Sequence, residues 1–132
     1  MSYVVVDTDV ASAILKGRLP DGLARPLAGQ QLAITFVTVG EMTQWAFLHH
    51  WGPQRRAGLR AFFASVVVLP SSFQVATVWG EIQAHARLRG RPRPINDSWV
   101  AACCLARELP LATLNLKDYL DFADHEGLEL VR

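Results

Sequence analysis

Four acidic residues in this chain stand where side chains can do chemistry. Asp7 closes "VVVD", Glu41 lies in "TFVTVGEM", Asp97 in "RPRPINDSWVAACC" and Asp118 in "TLNLKDY". Three of them follow short β-branched or apolar runs, and the fourth, Asp97, opens an apolar helical stretch. A single carboxylate at such a position caps a helix. Several carboxylates brought together repel one another and require a counter-charge. Hard divalent cations supply it, and Mg²⁺ in particular takes oxygen ligands, keeps several waters and needs few carboxylates.

Other reactive groups offer no rival constellation. His49 and His50 are adjacent and cannot share a metal from one helix face, while His85 and His125 stand alone. No GxSxG, P-loop, GxGxxG or CxxC motif occurs. Ser98 neighbours Asp97, but no histidine partner is evident. The only cysteines, Cys103 and Cys104, are consecutive. Neighbours on a helix point about 100° apart, so they read as buried thiols of a reducing compartment.

The elements that must position these acids follow from hydrophobic periodicity. "YVVV" (3–6) predicts a buried strand, and Thr8 onward a helix to about Lys16, closed by Gly17. "PDGLARPLAG" reads as a broken helical turn or loop. "LAITFV" (32–37) gives a second strand, and 39–50 a helix with Met42, Trp45, Ala46 and His49 on one stripe. Pro53 opens a helix to about Ala64. "VVVL" (66–69) is a third strand, and Ser71 or Ser72 caps a helix to about Leu88, ended by Gly90. Asn96 or Asp97 begins a helix to about Glu108. "LPLATL" (109–114) is a fourth strand, 116–122 a short helix and "LELV" (128–131) a closing strand. This alternation predicts a three-layer α/β/α fold with a mostly parallel sheet of four to five strands, in one domain over residues 1–132. In such sheets the crevice at the carboxyl ends of the strands holds the ligand. Three of the acids come from that edge, and a helix start there brings in the fourth.

Composition fits a compact core: 132 residues, 51% hydrophobic, net charge +1. Bulk charge names no partner, but its distribution is uneven. Asp121, Asp124, Glu126 and Glu129 read as a solvated acidic face, and with Asp118 they make the 118–129 segment acidic and leave the preceding chain basic. Arg87, Arg89, Arg91 and Arg93 run without an intervening acid and can attract phosphate. No run approaches the roughly 20 apolar residues of a membrane span. The start, "MSYVVVDTDV", lacks a basic segment and meets Asp7 too soon for a signal peptide, so a soluble, cytoplasmic protein is expected.

At these residues the chain resembles a PIN-domain ribonuclease, and specifically a VapC-type toxin of a bacterial type II toxin–antitoxin pair. "VVVDTDV" resembles the family's opening strand with its Asp-Thr. "TFVTVGEM" resembles the Glu-bearing junction, "ARLRGRPRPINDSWVAACCLA" the Pro-containing loop, Asp and Ala-rich helix, and "LATLNLKDYLDF" the Thr-x-Asn-x-x-Asp stretch. The four occur in order across nearly the whole chain. Asp9 departs from the pattern, since the family often has Ser or Asn there; a helix-start role is expected for it.

The resemblance implies that Asp7, Glu41, Asp97 and Asp118 hold Mg²⁺, with Mn²⁺ as a substitute. It further implies that Thr8, Thr113 and Asn115 hydrogen-bond the carboxylates or metal waters. Water would attack RNA to leave a 5′-phosphate and a 3′-hydroxyl, and Arg87, Arg89, Arg91 and Arg93 would grip the RNA backbone. A homodimer silenced by a VapB-type antitoxin would follow. "MTQWAFLHHW" holds either partner-facing anchors or core, with Trp45 expected in the core. Two alternatives use the same residues: a non-catalytic PIN-like nucleic-acid-binding module, and a metal-dependent DNA nuclease or phosphatase.

Overall fold

The computed structural model describes residues 3–132. Four parallel strands form one sheet in the order β3-β2-β1-β4: β1 (Tyr3–Val6), β2 (Gln31–Thr35), β3 (Val67–Leu69) and β4 (Leu111–Ala112). Tyr3 pairs with Gln31, Val5 with both Ala33 and Leu111, and Ala33 with Val67. From β1 the chain steps outward through β2 to β3, then returns across the sheet to place β4 on the other side of β1. The strand order therefore reverses between β1 and β4, and a ligand crevice opens at such a reversal.

Seven helices cover the sheet among the described residues: α1 (Thr8–Leu15), α2 (Asp21–Leu27), α3 (Phe36–Leu48), α4 (Pro53–Ser65), α5 (Phe73–Leu88), α6 (Ile95–Arg107) and α7 (Leu116–Glu126). Successive strand residues point to opposite faces, and the core divides accordingly. Val5, Ala33 and Leu111 pack with α5, α6 and α7 through Val75, Ile82, Ala101, Cys104 and Phe122. Val4, Val6, Ile34 and Ala112 pack with α1 to α4 through Val10, Leu27, Met42, Ala46, Leu59 and Phe62. This is the three-layer α/β/α arrangement. Among the described residues no helix is long and apolar enough to cross a membrane. Both thiols are buried, and burial raises their pKa, Cys103 to about 11.

Several boundaries differ from the sequence reading, each for a local reason. The second strand stops at Thr35, because the Thr35 hydroxyl accepts the Thr38 N–H at 3.4 Å and starts α3 at Phe36. Phe36 and Val37 are strand-like by composition but helical once that cap forms. "PDGLARPLAG" contains a real helix, α2, with Pro26 inside it. β4 is only two residues long, and "LELV" contributes a single bridge, Leu130 to Leu111, rather than a strand. α7 runs on to Glu126, ended by Gly127 at φ +82°.

The tryptophan assignment is corrected as well. Trp45 is 47% exposed and Phe47 60%, whereas Trp51 is buried at 9%. Met42 and Ala46 hold the inward face of α3, leaving Trp45 on its flank. The expected acidic face also breaks up. Asp121 is buried, and Arg89 donates to it at 2.5 Å and lies 3.5 Å from Glu126.

Candidate active site

Asp7 is the first residue after β1, and its placement follows from two donors. Its Oδ1 accepts the Val10 N–H at 3.0 Å, capping α1, and its Oδ2 accepts the Thr113 hydroxyl at 2.5 Å. Thr113 in turn accepts the backbone N–H of Asn115 at 3.0 Å. The residue just after β4 is thus bonded to the carboxylate just after β1, across the point where strand order reverses.

Glu41 lies one and a half turns into α3, further from the strand than the sequence reading placed it. The Thr8 hydroxyl donates to its Oε1 at 2.6 Å. Since Thr8 spends its one proton there, Thr38 must be the donor in the 3.0 Å contact between the two hydroxyls. A chain Thr38 to Thr8 to Glu41 therefore orients this acid, just as Asn115 to Thr113 to Asp7 orients the other.

Asp97 is the third residue of α6, which begins at Ile95 rather than at Asn96 or Asp97. Its side chain makes no cap bond to its own helix; it accepts from the Tyr119 hydroxyl at 3.4 Å. Being in the first turn, it still lies in the favourable end of the helix dipole. The loop before it is tied to α5, where Gln83 donates to Ser98 Oγ at 2.6 Å and to the Arg93 carbonyl at 3.4 Å. Asp118 comes from the first turn of α7.

These four acids line one polar pocket of about 90 Å³ together with Thr8, Asp9, Asn96, Val100, Asn115 and Tyr119. Asp9 joins the wall beyond its helix-start role, because Asn115 Nδ2 donates to its Oδ2 at 2.6 Å. Thr113 braces the site from beneath. Tyr119 and Asn96 were missed by sequence reasoning: each sits next to a predicted acid, but nothing in composition separates a site tyrosine from a core one.

The electrostatics describe a site short of positive charge. Burial, then the nearby Asp9 and Asp97, push Asp7 up from 3.8 to about 6, even against the Thr113 and Val10 hydrogen bonds. Asp97 is also raised, by burial and then by Asp118 and Glu41, with Arg93 and Tyr119 opposing. Burial and the Asp97 charge raise Tyr119, which keeps its proton as a donor. Among the described residues, no ion pair neutralises Asp7, Glu41, Asp97 or Asp118. Nor do three acidic, histidine or cysteine side chains already meet as a closed metal cage. Oxygen donors spread around a small polar pocket suit a cation that retains waters, not one stripped into a dedicated cage.

The arginine run does not act as one group. Arg89 is committed to Asp121 and Glu126, which corrects its place in the backbone-gripping set. Arg87 and Arg91 are exposed, and Arg93 lies near enough to Asp97 to lower its pKa.

Comparison with known proteins fits this geometry. The PIN-domain profile matches residues 4–124. The chain belongs to the PIN-domain family. Within the family, this PIN domain is 30% identical over 131 residues to Ribonuclease VapC5 of Mycobacterium tuberculosis, covering 97% of this chain and 93% of that protein. The crystal structure of VapBC-5, a toxin–antitoxin system member from the same organism, superposes with a TM-score of 0.70 at 28% identity, covering 100% of this chain and 99% of that one. VapBC2 of Rickettsia felis, solved bound to a promoter DNA fragment, shares the fold at a TM-score of 0.82 and 19% identity, covering 98% and 97%.

Proposed function

We propose that this PIN domain is a divalent-metal-dependent endoribonuclease and the toxin of a toxin–antitoxin pair. The observation that carries the reading is the pocket itself. Four carboxylates from four separate segments face one small polar space at the strand-order reversal, with no cation paired to them among the described residues. Relatives named as VapC ribonucleases and a relative solved as part of a toxin–antitoxin system support it.

Asp7, Glu41, Asp97 and Asp118 would hold Mg²⁺, or Mn²⁺ in its place. When bound, such an ion neutralises a phosphodiester, lowers the pKa of water and stabilises the leaving oxygen. The chain supplies the rest. Thr113 and the α1 N-terminus fix both oxygens of Asp7, and Thr8 fixes Glu41, which limits the freedom these carboxylates would lose on holding an ion. Tyr119, itself in the pocket wall, donates to Asp97. Arg93 sits beside the acids, and the exposed Arg87 and Arg91 extend a cationic flank for the RNA backbone. A VapB-type antitoxin, a homodimer and a cytoplasmic place of action belong to the same reading.

The test is cleavage of matched, end-labelled RNA and DNA strands with Mg²⁺ or Mn²⁺. RNA should be cut and DNA spared. Cutting of DNA alone would replace the reading with a DNA nuclease, and cutting of neither would leave a non-catalytic binding module.

A further inference from the structure

The acidic pocket does not stand alone on its surface. A second groove of about 160 Å³ opens beside it and shares Thr8, Asp9 and Glu41 as walls. Its far wall is aromatic, formed by the half-exposed Trp45 and by Trp51. Beyond Trp51 the groove continues into a third depression lined by Leu15, Lys16, Arg18, Trp51, Arg55 and Gly58, with three cations and no acid. Cations and aromatic faces alternate along this path: Lys16 Nζ lies 5.2 Å from the Trp45 ring, and the Arg55 guanidinium 4.1 Å from that of Trp51. None of Lys16, Arg18 or Arg55 is in a salt bridge among the described residues. α4 as a whole carries three arginines and no acid.

We infer that this path is a binding track for single-stranded RNA, on which a base next to the cut stacks against Trp45 while Lys16, Arg18 and Arg55 hold the following phosphates. Three features point to a nucleic acid strand over a protein partner. Positive charge complements phosphate, indole faces accept any base, and the track begins at the wall of the pocket where the strand would be cut. A protein segment whose own acids meet these cations is the alternative occupant, and the test below separates it from RNA. The track rests on the ribonuclease reading for its direction, but its existence is a matter of binding and can be measured apart from cleavage.

The probe is a fluorescein-labelled polyuridylate about 12 nucleotides long, within the usual span of a single-strand site. Its anisotropy is followed with the full-length protein in EDTA, so that nothing is cut. Wild-type protein should bind with a steep salt dependence. Arg18→Gln combined with Arg55→Gln should weaken binding and reduce the log–log salt slope by about 1 to 1.5, the value for two lost phosphate contacts on a single strand. Trp45→Ala should weaken binding about tenfold with the slope unchanged, since stacking carries no counterion term, and Trp45→Phe should restore most of it. All three positions are on the surface, and matched melting curves would verify that each variant folds. Unchanged affinity and slope in the folded variants overturn the track. So does a pattern in which RNA binding persists but co-purification with a co-expressed VapB-type antitoxin is lost, because the face is then a protein interface. If the variants lose RNA binding as expected but the wild type cuts no RNA with Mg²⁺ or Mn²⁺, the track stands and the hydrolytic reading falls. If the wild type cuts RNA and the variants bind it normally, the reverse holds.

Discussion

Replacing Asp7 with asparagine exchanges one oxygen for an amide nitrogen and removes one negative charge from the pocket. The folded protein holds this carboxyl at about 6 against an ordinary 3.8. A raised pKa means that the fold binds the proton more tightly than the unfolded chain does. Stability from this group is therefore greatest below about pH 4 and falls as pH rises toward 6. At 1.36 kcal/mol per pK unit, the ionised carboxylate costs the metal-free fold at most about 3 kcal/mol above that window. Asparagine keeps the α1 cap, because it is as good an N-cap as aspartate. The lost charge–dipole attraction takes back roughly 0.3–1 kcal/mol. The amide nitrogen cannot accept the Thr113 hydroxyl, which takes back about 1 kcal/mol more. Near neutral pH, with EDTA, Asp7→Asn should therefore be more stable by about 1 kcal/mol, or roughly 4 °C in melting temperature for a chain this long. Near pH 4 that advantage should be gone. Millimolar Mg²⁺ or Mn²⁺ should raise the wild-type melting temperature and raise the variant's much less, since only a formed site gains from binding to the folded state. Melting curves across this pH range, with and without metal, measure all of it. A variant less stable than wild type at neutral pH, or an offset that does not change with pH, would refute the argument that the site is short of positive charge.

Two further outcomes are expected. Asp97→Asn should fold well, because Asp97 makes no cap bond, yet it should cut RNA little or not at all and no longer arrest growth on expression; near-normal cleavage by the folded variant would remove Asp97 from the chemistry. Arg89→Ala should lower the melting temperature well below that of Arg91→Ala, since it leaves the buried Asp121 without its partner, while Arg91→Ala should affect RNA binding more than stability; equal melting curves would return Arg89 to the solvated surface.

How much of this was legible in the sequence depended on range. The ends of the first and third strands, the helix beginning at Pro53, the Ser72 cap and the Gly90 stop are local signals, and all appear in the fold. So does the convergence of Asp7, Glu41, Asp97 and Asp118 on one pocket, because the topology of a parallel sheet brings strand ends to one edge. What failed needed contacts distant in sequence, or a choice between equal local options. Nothing near Arg89 announces Asp121, 32 residues away and on another helix, so a paired cation looked like a free one. Trp45 and Trp51 are alike by composition; only the docking of α3 on the sheet through Met42 and Ala46 decides that Trp45 faces out and Trp51 in. At Thr35 a β-branched run was read through as strand, though a hydroxyl cap one residue before Phe36 turned it into helix.

The central claim is that the carboxylate pocket uses a divalent cation to cut RNA, and a metal titration of cleavage tests it most directly. Purified protein stripped with EDTA is given end-labelled RNA, and the cleavage rate is followed as Mn²⁺ or Mg²⁺ is added, then as EDTA is returned in excess. The rate should rise from background, saturate and stop on chelation, with products bearing 5′-phosphate and 3′-hydroxyl ends. Cleavage that proceeds at full rate in EDTA would contradict the account.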